Sequence, residues 1–238
     1  GRLGGVAEAP GLPWWFRRLP ASAFATPLPA FPADADFAQR IANFLPVDPD
    51  EAAHWVSSVG IAATAAGPEY ALWIARQSRL AQLKGDTALL MGAWAWFGQS
   101  PGSLGHRLLR KPWCCEMSLR RAAEELALWR SRLRLVDTLG LGLQDSWLTE
   151  GSAAGLQFVA LRTVEDFLVE SEVMENCLDQ YADQLRTGHT TVFSVRRGNR
   201  RIACLEIGMH EQECTMPAII QLRAARNRRA APDIWQAT

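Results

Sequence analysis

From Thr190 onward the apolar residues recur at every second position. "TTVFSVRR" at 190–197 and "RRIACLEIG" at 200–208 both alternate, and Gly198-Asn199 lies between them. Wound into a helix, such a pattern would scatter its apolar residues around the whole circumference, so the pair reads as a β-hairpin closed by a two-residue turn. A turn of that length sets a register. Val195 is expected opposite Ile202 and Phe193 opposite Cys204, which brings Glu206 near Thr191 on the same apolar face. A carboxylate is therefore expected to face the core. "AIIQLRAARN" at 218–227 supplies a third strand, "LQFVAL" at 156–161 a further one, and "APDIWQAT" begins a helix after Pro232. The C-terminal part reads as α+β, with a hairpin or meander of antiparallel sheet packed on helices.

Ahead of this region the period is helical. Residues 1–35 carry six of the thirteen prolines, and since proline fixes φ and removes a backbone donor, this stretch reads as an extended arm that Trp14, Trp15 and Phe16 pin in place. Asp48-Pro49 signals a cap and first turn for a helix to about Ala66, and Gly67-Pro68 restarts one to about Leu83. Thr87–Phe97 is apolar on nearly every side, which implies burial all round. Ser118 caps a long helix whose residues Leu119, Ala122, Leu126, Trp129, Leu133 and Val136 form the inner stripe, with Arg120, Arg121, Glu124, Arg130 and Arg134 outside. Thr163 and Asp166 form a capping-box start for an acidic helix with a break near Ser171. Met174, Cys177, Leu178, Tyr181 and Leu185 share one face of it, so Cys177 is expected in the core, with Gly188 as the stop. The organisation expected is an arm (1–35), a helical domain (36–149) and an α+β module (150–238).

Composition sets limits on function. The 238 residues carry no formal net charge, so no global field draws the chain to nucleic acid and any attraction must be local. Five cysteines at irregular spacing are too few for a disulfide framework, and a reducing cytoplasm is the expected home. The longest apolar run, at 87–98, falls short of the roughly 20 residues that span a bilayer, and the proline-broken start does not read as a signal peptide.

Three groups of residues carry chemical interest. First, charge is partitioned: between Val164 and Gln184 every charged residue is acidic, whereas Arg186–Arg229 holds nine arginines against three glutamates. Arg196, Arg197, Arg200 and Arg201 at the hairpin tip, with Arg223, Arg226, Asn227 and Arg228, are candidates to grip phosphates, and such a role requires them to share one exposed face. Mutual neutralisation of an acidic helix and a basic sheet accounts for the same pattern. Second, Cys177 as a nucleophile would need a base or a cation, and Glu175 and Asp179 beside it work against ionisation. Third, Cys204, His210 and Cys214, with His189, could be drawn as a metal site, but the spacing matches no zinc pattern and no metal or other cofactor is expected.

The segments "LRTVEDFLVESEVMENCLDQYADQLRTGHTTVFSVRRGNRRIACLEIG" and "IIQLRAARNRRAAPDIWQA" together resemble the PcfJ-like proteins, a family associated with conjugative plasmids and other mobile elements. The resemblance covers about residues 150–238 and rests on Glu170, Asn176, Cys177, Tyr181, Gly188, Arg196, Glu206, Gln221 and Asn227. Three positions depart from the pattern: Glu175 stands where the family usually has histidine, and Ser171 and Ala224 where it has glycine. A histidine–cysteine pair, if the family uses one, is halved here. The resemblance implies a mobile-element setting; with the charge partition it makes a non-enzymatic module that binds nucleic acid or a protein partner the expected function, and the short apolar runs lead to no expected membrane association. A hydrolase or transferase using Cys177 or Glu206 is the alternative.

Overall fold

Asp48 starts the first long helix by the means its side chain allows. Its carboxylate accepts from the backbone N–H groups of Asp50 and Glu51, and Pro49 occupies the first turn, where no donor is needed. The computed structural model describes residues 35–77, 85–140, 146–209 and 216–238. The proline-rich arm expected over 1–35 lies, up to residue 34, outside the described residues.

The chain divides into two compact units, Gly1–Ala127 and Leu128–Thr238. Within the first lie α1 (Ala35–Ala42), α2 (Pro49–Ala75), α3 (Gly85–Gly98) and the single turn α4 (Leu104–Arg107). The division falls inside α5 (Leu119–Leu139). The two helices expected on either side of Gly67-Pro68 are joined in α2 across a kink, where Gly67 takes φ 84° and Pro68 supplies no N–H. α2 ends at Ala75, short of Leu83, and the Trp73 carbonyl at its end accepts from Gln77 Nε2 at 2.8 Å and from Arg76 N at 3.3 Å. Indole donors tie this unit internally: Trp55 Nε1 donates to Ala75 O at 3.0 Å and Trp73 Nε1 to Met117 O at 2.7 Å. α3 is not buried on every side. Met91, Trp94 and Ala95 are buried, but Leu89 and Trp96 are exposed. Ser118 caps α5 as expected, accepting from Arg121 N. Its inner stripe holds Ala122, Leu126 and Trp129, and also the buried Glu125, which is ion-paired to Arg110 at 2.8 Å and Arg121 at 2.6 Å.

The second unit is α+β. A six-stranded antiparallel meander runs in chain order: β1 (Gly151–Ala153), β2 (Leu156–Ala160), β3 (Thr190–Arg197), β4 (Arg200–Met209), β5 (Pro217–Ala224) and β6 (Arg228–Arg229). Between β2 and β3 the chain forms α6 (Val164–Met174), a 3₁₀ turn at Leu178–Gln180 and α7 (Ala182–Leu185), and it closes with α8 (Pro232–Ala237).

The hairpin turn is the one expected, with Arg197 opposite Arg200 and Gly198 at φ 58°. The register beyond it is not. A β-bulge leaves Ile202 unpaired, so Val195 faces Ala203, Phe193 faces Leu205 and Val192 faces Glu206. One inserted residue exchanges the sides of every later residue in the strand. Val192 and Cys204, rather than Phe193 and Val195, therefore meet Phe167, Met174, Leu178 and Tyr181 of the helical layer, joined there by Leu135 and Leu139 from the end of α5. Phe193, Val195, Ala203, Leu205 and Leu222 form a second core on the opposite face, closed by Ile234 of α8. β3 is buried on both sides, which is why its central residues are inside without alternation.

Candidate functional site

The site begins with the end of α6. Thr163 and Asp166 make the reciprocal capping box that opens the helix. The break comes at Glu175, not near Ser171: Glu175 adopts the left-handed conformation, φ 48°, and terminates the helix. That one residue resets the phase of the segment from Asn176 to Tyr181. Met174, Leu178 and Tyr181 remain in the core, whereas Cys177 rotates out of the stripe and is exposed, a correction to the expectation that it is buried. Ser171, in the place of a glycine, donates through its hydroxyl to the carbonyl of Asn176 at 2.9 Å and so helps fold the segment back.

The refolded segment faces the helix-covered side of the sheet across a narrow cleft. Its walls are Asn176, Cys177, Leu178 and Tyr181 on one side and Val192, Cys204, Glu206, Gln221, Arg223 and Asn227 on the other. The cavity volume of the cleft is about 20 Å³. Sheet register aligns the second wall, because Cys204 pairs with Arg223 and Glu206 with Gln221 across β4 and β5.

Two polar networks line it. In the first, the Tyr181 hydroxyl donates to Glu206 Oε2 at 3.0 Å, and Gln221 Nε2 donates to that oxygen at 2.5 Å and to the Tyr181 hydroxyl as well. Burial, and next the Glu206 carboxylate, push the Tyr181 hydroxyl well above the usual phenol range, so it stays a donor. In the second, Glu170, with no exposed surface, accepts from Arg201 Nε at 2.7 Å and from the Cys204 thiol at 3.5 Å. Asn176 Nδ2 in turn donates to Cys204 Sγ at 3.3 Å, and Asn176 Oδ1 accepts from Leu178 N at 3.2 Å. Burial first, then Glu170, hold the Cys204 thiol far above its ordinary pKa. Cys204 is thus a packed donor. The sequence offers it only as a partner for Phe193 or a metal ligand, although its place two residues before Glu206 on one strand already puts both on the same face.

At the mouth of the cleft, Asn227 Nδ2 approaches Cys177 Sγ at 4.0 Å. Arg226 and Asn227 are both left-handed, at φ 59° and 54°, and Arg226 makes a bidentate pair with Glu175 at 2.9 Å. The guanidinium holds the Glu175 carboxyl below the usual range. Glu175, where the family pattern has histidine, is therefore a structural partner of the 225–227 turn.

The structure gathers Asn176, Cys177, Tyr181, Glu206, Gln221 and Asn227 in one cleft, with Glu170 behind it. Gly188 is outside, turning the chain at φ 70° into β3. The arginines divide between the sheet's two faces. Arg196 and Arg201 pair across the hairpin on the cleft side, as do Arg223 and Arg229 across β5 and β6. Arg197 and Arg200 pair on the other side, where Arg197 bonds Asp233 of α8 at 2.7 Å, and Arg228 lies opposite Ala224. Period two requires this split for neighbours such as 196 and 197 or 200 and 201. Arg201 is bound to Glu170, Arg196 Nε donates to Ser194 Oγ at 3.0 Å, and Arg228 Nε donates to the Ala225 carbonyl. Arg223 and Arg229 are exposed and make no ion pair among the described residues. No group of three or more His, Cys, Asp and Glu side chains poised for a metal occurs among the described residues, and His210 and Cys214 lie outside them. No helix among the described residues is long and apolar enough to cross a membrane.

Residues 143–238 match the model of a family described as PcfJ-like protein. No curated protein and no solved structure matches the chain.

Proposed function

We propose that the PcfJ-like part of this chain is a nucleic-acid-binding module whose contact surface is the cleft and the arginines that flank it on the same sheet face. The observation that carries this reading is Arg223. It lines a cleft floored by Glu206, Gln221 and Tyr181, it is exposed, and it is aligned with Arg229 and on the same side as Arg196. Convergent cations beside groups that donate and accept hydrogen bonds match a ligand with phosphates and polar bases. The narrowness of the cleft favours an extended single strand over a duplex, whose backbone would stand off a concave wall. The family's association with conjugative plasmids and mobile elements supports the same class of partner.

The test is binding of the full chain to labelled single-stranded and duplex oligonucleotides across a range of salt. Affinity for single strands should fall linearly on a log–log plot, with about 0.7 lost from the slope for each phosphate contact removed. Arg223→Ala and Arg229→Ala should each weaken binding and flatten the slope, whereas Arg200→Ala, on the other face, should do neither. Salt-independent binding, or equal losses from Arg200→Ala, would contradict the proposal.

A second reading is favoured by one observation. The Cys177 thiol is exposed at the cleft mouth with the Asn227 amide beside it, an arrangement open to thiol chemistry on a bound group. Cys177→Ala separates the two, since it abolishes thiol chemistry and leaves nucleic-acid affinity in place.

A further inference from the structure

The Glu206 carboxylate is satisfied on one side only. Tyr181 and Gln221 both donate to Oε2, and Oε1 accepts nothing from any described residue. Glu206 is 7% exposed and lines the cleft, and no described arginine or lysine pairs with it. Glu206 is part of the cleft wall, which places this carboxylate beside the cleft. A largely desolvated carboxylate oxygen is a strong acceptor, and leaving it without a donor is costly.

We propose that Glu206 Oε1 is the point at which the cleft reads its ligand, taking an N–H donor from the hydrogen-bonding edge of an unstacked nucleobase. The inference rests on the nucleic-acid reading above and assigns its specificity element. With a cavity volume of about 20 Å³ the cleft is too small to enclose a whole base, so the base is taken edge-on. Arg223 in the same cleft selects against a basic side chain as the donor and in favour of a donor attached to a phosphate. Leu178 and Val192 supply the apolar contact beside it.

Geometry gives a directional prediction. In Glu206→Gln the amide oxygen must turn toward the two donors from Tyr181 and Gln221, which forces the NH₂ group into the cleft. An acceptor site becomes a donor site with no change of shape. Thymine within a strand has one N–H donor, at N3, and N3-methylation removes it without altering charge. The wild-type chain should bind oligothymidylate about tenfold more tightly than the N3-methylthymine oligomer, the ratio expected for a hydrogen bond to a charged group. Glu206→Gln, with a melting temperature close to wild type, should bind the two within about twofold of each other. Arg223→Ala should lose affinity for both equally. Equal wild-type binding of both oligomers, with salt dependence intact, would overturn the Glu206 subsite and leave the nucleic-acid reading standing. Discrimination surviving in Glu206→Gln would overturn it too. No wild-type binding of either oligomer at low salt would remove both.

Discussion

Arg201 is engaged by a buried carboxylate, which sets it apart from the exposed arginines of the same sheet face. Its Nε lies 2.7 Å from Glu170, whose side chain has no exposed surface, while Arg201 itself is 26% exposed. Arg201→Met keeps most of the aliphatic stem and removes the cation, leaving a sealed carboxylate whose other described donor is the Cys204 thiol at 3.5 Å. Breaking a buried pair in this way costs about 3–5 kcal/mol, and partial solvation of Arg201 puts the expected loss near the lower end. Glu170→Gln preserves shape and lets the guanidinium reach water, so its cost should be about 1–2 kcal/mol. The double substitution Arg201→Met with Glu170→Gln removes both charges and should recover to within about 1 kcal/mol of wild type. Urea unfolding of the four proteins closes the cycle. A loss below about 1 kcal/mol for Arg201→Met, or a double variant less stable than the sum of the singles, would show that the pair is not a buried one. Arg201 would then return to the phosphate-binding set.

The same packing sets other expected outcomes. Leu178→Ala, at 4% exposure in the helix-covered core, should cost about 2–5 kcal/mol through its cavity, and Cys177→Ala, on the surface, less than about 0.5 kcal/mol; thermal or urea unfolding of the pair measures the contrast. Cys204 should remain a thiol in the folded chain while an unfolded chain ionises it around its ordinary value of 9.0. Its contribution to stability is thus complete below that pH and is lost as pH rises toward the raised folded value, so unfolding curves should weaken above about pH 9 and Cys204→Ala should flatten the trend. Glu175, whose pKa Arg226 lowers, works in the opposite direction: its contribution is present above the usual carboxylate range and disappears as pH falls through the lowered value. Arg226→Ala should remove that acid-side dependence in the same assay.

The sheet and its turn were legible because alternation and Gly198-Asn199 are local signals. The register was not, since the bulges at Ile202 and between Glu206 and Ile207 leave no mark on composition. The capping box at Thr163 and Asp166 could be read directly, but the left-handed turn at Glu175 could not, because glutamate is not a residue that announces it. That single backbone angle moved Cys177 from the expected core to the cleft mouth. The resemblance brought Tyr181, Glu206 and Gln221 forward as a set, and an inward-facing Glu206 was read from the hairpin even though its partner there proved to be Val192. Arg132 and Asp179, paired at 2.9 Å and almost wholly buried, carried no signal beyond charge in an amphipathic helix and an acidic run.

The most direct test of the cleft as the contact surface is a thiol footprint. Cys177 sits at its mouth, and Cys115, also exposed, lies in the other compact unit and serves as the internal reference. Maleimide labelling of the two residues is followed by mass spectrometry with and without a saturating single-stranded oligonucleotide at low salt. The account predicts that the oligonucleotide slows labelling of Cys177 several-fold, leaves Cys115 unchanged, and loses its effect on Cys177 as salt is raised. Unchanged labelling of Cys177 while the oligonucleotide is demonstrably bound would contradict it.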